Sequence, residues 1–90
     1  MMARTLLLAD EIAVPGATGT ATSFSSATVV RLVNNNTSAA VVSVVETQGG
    51  TGVGSFTMLG NTVEYLEKNP SYCVFAVGGT VSGTKVGFTG

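Results

Sequence analysis

From Thr28 onward the chain is a succession of short valine- and threonine-rich runs, each cut off by glycine, asparagine or proline. That punctuation constrains the fold more than any other feature. Branched residues are stiff at χ1 and suit a pleated, half-buried surface. Leu, Glu, Lys and Gln, which favour helix, are sparse. A chain broken this often closes on itself as short antiparallel strands.

The alternation can be read run by run. In Thr28 to Asn34, Val30 and Leu32 share one face, and Val29, Arg31 and Val33 the other. Asn34-Asn35-Asn36 then supplies a turn, because Asn tolerates left-handed backbone. Ala39 to Glu46 sets Val42 and Val44 against Val41, Ser43 and Val45, and a glycine loop follows over Thr47 to Gly52. Val53 to Leu59 places Phe56 and Met58 together. Gly60-Asn61 and Gly78-Gly79 each fit a two-residue hairpin turn. Residues 62–68 permit two readings. Alternation of Val63 and Tyr65 about Glu64 favours a strand, whereas Asn61 followed by Glu64, with Pro70 as a stop, also fits a two-turn helix. Tyr72 to Val77 and Val81 to Thr89 complete the set. The expected fold is all-β: a small antiparallel β-sandwich or barrel of about seven short strands, with an extended N-terminal arm. Its core should hold Val30, Leu32, Val42, Val44, Phe56, Val63, Val74 or Phe75, Val86 and Phe88.

Residues 1–27 differ in character. Leu6, Leu7 and Leu8 form a compact apolar cluster, and residues 15–27 are uncharged and mostly small, with Phe24 the one large side chain. This divides the chain into an N-terminal strand or arm with linker, 1–27, and a sandwich domain, 28–90. Three solvated leucines are costly, so Leu6, Leu7 and Leu8 are the candidate interface residues. They either form an edge strand of the same domain or cross to a neighbouring subunit.

A chain of 90 residues makes one domain with a modest core. Cys73 is the single cysteine, which excludes an internal disulfide; oligomerisation is the natural source of extra stability. With no histidine, one cysteine and one aspartate, Asp10, neither a metal site nor a cofactor is expected. Four basic and five acidic residues give a net charge of −1. Arg4, Arg31, Lys68 and Lys85 are scattered, so direct nucleic-acid binding has no electrostatic basis. No apolar run is long enough to span a membrane as a helix, and the Leu6–Ala9 run ends too soon at Asp10-Glu11 for a signal peptide.

Catalytic chemistry is not expected either. Lack of histidine removes the usual general base. Ser82 and Lys85 have the S-x-x-K order, but an odd separation on a strand sends them to opposite faces. Glu64 and Glu67 are separated in the same way. The GGTGVG stretch at Gly49–Gly54 and GGTVSGTK at 78–85 lack phosphate-loop spacing and read as turns. Cys73 reads as a small buried hydrophobe. The Asn35 and Asn36 glycosylation patterns read as turn residues.

Four stretches carry a family resemblance: Val30-Arg31-Leu32-Val33-Asn34, Gly54-Ser55-Phe56, Val63 through Pro70, and Phe88-Thr89-Gly90. Across residues 28–90 the chain resembles short virion proteins of tailed marine phages, cyanophages among them. Those proteins share a V-R-x-V-N strand, a G-S/T-F/M strand, a V-x-x-x-E-K-x-P segment and a terminal aromatic-Thr. The resemblance implies a virion structural protein made in the host cytoplasm. Its first form is a capsid decoration or cement protein that binds the major capsid protein or other virion proteins, as a homo-oligomer. A tail- or fibre-associated protein, or a receptor- or carbohydrate-binding β module, is the alternative.

Overall fold

A computed structural model describes residues 4–89. Eight strands form two antiparallel sheets. They are β1 (Arg4–Leu7), β2 (Ile12–Ala13), β3 (Val29–Asn34), β4 (Ala40–Val45), β5 (Gly52–Met58), β6 (Val63–Glu67), β7 (Cys73–Val77) and β8 (Val81–Thr89). One sheet runs β1-β8-β3-β6, with β2 alongside β1 on the same edge of β8; the other runs β5-β4-β7. Thr22 extends the second sheet by an antiparallel bridge to Val74, with backbone bonds of 3.1 and 2.8 Å. Residues 62–68 thus contain a strand, in agreement with their alternation.

The pairings follow one rule. β4 pairs with β5, β3 with β6, Thr22 with β7, and β1 with β8, all antiparallel. This is one long hairpin, closed near Glu46 and Thr51 (2.9 Å), rolled so that successive pairs fall in alternate sheets. The β3–β8 and β4–β7 ladders then close the roll. The strand order is that of a jelly roll.

That topology corrects two turn assignments. Gly60-Asn61 and Gly78-Gly79 do have left-handed backbone, with φ of 56° at Asn61, 81° at Gly78 and 59° at Gly79. They are nevertheless not hairpin turns, since β5 and β7 lie in one sheet and β6 and β8 in the other. Each crosses between sheets. The local conformation was legible, but the destination of the next strand was not.

The core lies between the sheets. Val30, Leu32, Val42, Val44 and Val74 are buried there, as their alternation requires, with Ala27, Ala40, Met58, Ala76 and Val81. Phe56 is only half-buried at the mouth of the sandwich. Val63 was expected inside but is 44% exposed, because it stands on β6, an edge strand, opposite outward-facing Val33. Val86 is buried against the outer face instead, opposite Leu7 and Val29. The Phe88 side chain lies outside the described residues.

Phe24 and Ala27, N-terminal to the expected boundary at residue 28, are members of this core. Phe24 is 4% exposed. It is placed by a rare backbone feature: Phe24, Ser25 and Ser26 all have φ between 54° and 59°, and Ala27 N–H donates to Ser23 O at 3.1 Å. This is one left-handed helical turn, which costs roughly 1–2 kcal/mol per residue in L-amino acids. Its ring lies against Gly83, where a Cβ would come within 2.6 Å of the ring carbons.

Buried polar side chains tie the two ends of the sandwich. At one end, fully buried Asn34 donates through Nδ2 to the carbonyls of Ser38 (2.9 Å), Met58 and Leu59 (3.3 Å each). Its Oδ1 accepts from Asn36 N and Thr80 N at 3.2 Å each. Three crossing connections are thus held by one amide. At the other end, Lys68 is 8% exposed. Its Nζ donates to Ala27 O at 2.8 Å, Asn69 O at 3.4 Å and Pro70 O at 3.5 Å.

Candidate functional surface

An exposed apolar surface lies along β1 and β2. β1 is a lateral strand: one side is bonded to β8 in the register Arg4↔Thr89 to Leu7↔Val86, and Leu8 N–H continues the ladder to Lys85 O at 3.0 Å. Along this ladder β8 sets Gly87 opposite Leu6 and Val86 opposite Leu7. Leu6 stands opposite Gly87, and a Cβ at Gly87 would lie only 3.6 Å from Leu8 Cδ1. With glycine beneath them, Leu6 and Leu8 have little side-chain cover. They remain 48% and 50% exposed, and Leu7, on the other face, is 68% exposed. Ile12 of β2 adds a further 43% exposed apolar side chain on the same edge. Backbone pairing therefore fixes this strand without burying its side chains.

The outer face of that sheet continues the surface. Leu7, Val86 and Val29 lie in one row across β1, β8 and β3, with Val33 and Val63 in another. Thr5 Oγ1 and the Tyr65 hydroxyl lie 3.5 Å apart, although their strands are the two edges of the sheet. That contact runs over the two strands between them. The hydrogen bond with Thr5 lowers the Tyr65 pKa, as do a hydrogen bond and the positive charge from Arg31, whereas burial opposes the shift. Between Asp10 and Lys85 a hollow of about 210 Å³ opens beside Phe24, and Lys85 Nζ donates to Ser25 O at 3.0 Å across it.

The other residues singled out by sequence do not assemble. Ser82 lies opposite outward Val33 and Lys85 opposite buried Val30, so they face apart. Glu64 and Glu67 stand opposite Leu32 and Val29, again on different faces. Among the described residues no three of His, Cys, Asp and Glu converge, and no helix is long and apolar enough to cross a membrane. Cys73 is buried with Ala21 and Val45 under Phe75. Sequence reasoning singled out Phe24 as the one large side chain of its tract but left it out of the core, because the small residues around it gave no periodicity. It also passed over the Asn34 side chain, which hid within an asparagine run that already read as a turn.

No known protein family, no curated protein and no solved structure matches the chain.

Proposed function

We propose that the protein is a structural component of a tailed-phage particle, a decoration or cement protein that docks on the capsid shell through its β1 edge. The observation that carries this reading is the set of three consecutive leucines, 48–68% exposed, on and just beyond a strand that β8 holds along one side. At about 25 cal/mol per Å² of apolar surface, solvating each forgoes roughly 1–2 kcal/mol. An exposed apolar ridge suits a permanent contact with a neighbouring protein. The jelly-roll strand order is compatible as well, being used by viral capsid and lectin domains. That is an analogy of fold and not of site. The resemblance of residues 28–90 to short virion proteins points the same way.

Two measurements test the reading. Mass spectrometry of purified particles should find the chain in hundreds of copies; a handful would indicate a tail tip or fibre, and absence would refute a virion role. Recombinant protein should bind shells stripped of it. The Leu6→Ser, Leu7→Ser, Leu8→Ser variant should keep its circular dichroism spectrum yet lose shell binding. Undiminished binding would move the contact away from β1.

A further inference from the structure

A different edge carries a second contact. The sandwich has four lateral edges, and three have features that discourage further strand pairing. β6 carries Glu64 and Glu67, β1 is short and is followed by Asp10 and Glu11, and the Thr22 segment contributes a single bridge. β5, Gly52–Met58, is seven residues long with no charge and no proline. Its one irregularity, a register shift opposite Val44/Val45, lies at its N-terminal end. From Gly54 to Met58 it presents an ordinary unpaired edge.

The inner face of β5 also has a gap. Gly54, Phe56 and Met58 point toward the core, opposite Val44, Val42 and Ala40. At Gly54 a Cβ would meet nothing within 4 Å. A hollow of about 270 Å³ opens there between the sheets, its walls including Val44, Phe56, Leu66 and Tyr72. Phe56 reaches only part of it and stays half-buried.

We propose that β5 pairs antiparallel with β5 of a second copy, about a two-fold axis at Ser55, so that Phe56 of each copy closes the Gly54 hollow of the other. The register follows from symmetry. A continuous sheet requires inner-face residues to meet inner-face residues, so the axis passes through a residue and not between two. Ser55 is the midpoint of Gly52–Met58, and an axis there pairs Gly54, Ser55 and Phe56 with their counterparts, with Thr57 and Met58 meeting the irregular Val53 and Gly52 at either end. It sets Gly54 opposite the partner's Phe56, an aromatic covering a strand glycine. Both hollows are closed by one contact, as an isologous interface requires. The joined sheet would have β4 and β7 on each side of the paired β5 strands. This pairing does not depend on the virion role; it leaves both β1 edges free.

Sedimentation velocity over a concentration series tests it. The wild-type chain should show a monomer–dimer equilibrium. Ser55 is exposed, so charge there leaves the monomer folded, which circular dichroism verifies. Ser55→Lys places two ammonium groups face to face at the axis and should weaken the dimer at least about tenfold. Ser55→Glu should do the same, and an equimolar mixture of the two variants should restore a dimer. Any one of three results overturns the proposal: a wild-type monomer up to about 1 mM, a dimer that both variants leave intact, or a mixture that stays monomeric.

Discussion

Removing the Phe24 side chain should damage this fold more than its place in a tract of small residues suggests. Phe24 is 4% exposed, belongs to the main core and rests on Gly83. Truncating a buried phenylalanine costs about 3–5 kcal/mol, and a domain of this size has only about 5–15 kcal/mol in all. The complementary perturbation is Gly83→Ala. The new methyl would lie 2.6 Å from two ring carbons and 3.2 Å from Leu32 Cδ2, an overpacking worth about 1–3 kcal/mol. In the double variant the methyl occupies space that the ring has left. Its cost should therefore fall below the sum of the single costs by about 0.5–3 kcal/mol, the range for residues in contact. Urea denaturation of the four proteins, with constant m-values, measures the cycle. A Phe24→Ala cost below about 1 kcal/mol, or strict additivity, would show that the ring does not sit on Gly83. The same reasoning makes a fragment starting at Thr28 unable to fold, because it lacks Phe24, Ala27 O and the Thr22 bridge.

The buried polar ties make further predictions. Asn34→Asp turns a two-hydrogen donor toward three carbonyls into an anion and should cost at least about 3 kcal/mol at neutral pH; burial raises the new carboxyl's pKa, so the gap to wild type in denaturant midpoints should narrow on acidification. Lys68→Met leaves Ala27 O without its donor and should cost about 1–3 kcal/mol. Burial lowers the Lys68 pKa from its ordinary 10.5, with the electrostatic effect of Cys73 opposing this and Lys85 adding to it. Between the lowered folded value and 10.5 the unfolded chain holds more protons, so wild-type stability should rise with pH relative to Lys68→Met in that window. A gap that shrinks as pH rises there would contradict the burial of Nζ. Cys73, buried under Phe75, should react with a thiol reagent at a rate set by opening of the fold, and labelling as fast as in urea would refute that placement.

Much of the architecture was legible locally. Alternation assigned Val30, Leu32, Val42 and Val44 to the core because side-chain direction in a strand has a period of two, whatever the strand pairs with. Asn61, Gly78 and Gly79 showed where the backbone turns left-handed, since few residues tolerate it. Leu6, Leu7 and Leu8 stood out in composition as an apolar run beside charges, and the fold leaves them 48–68% exposed. What periodicity does not carry is the identity of the partner strand. β3 bonds to β6 and β8, both distant in sequence, and a turn's φ does not say whether the chain returns to its own sheet or crosses to the other. That difference made Val63 an exposed edge residue. It also drew Phe24 into the core, where only the three-dimensional meeting of a left-handed turn with Gly83 makes room for a ring.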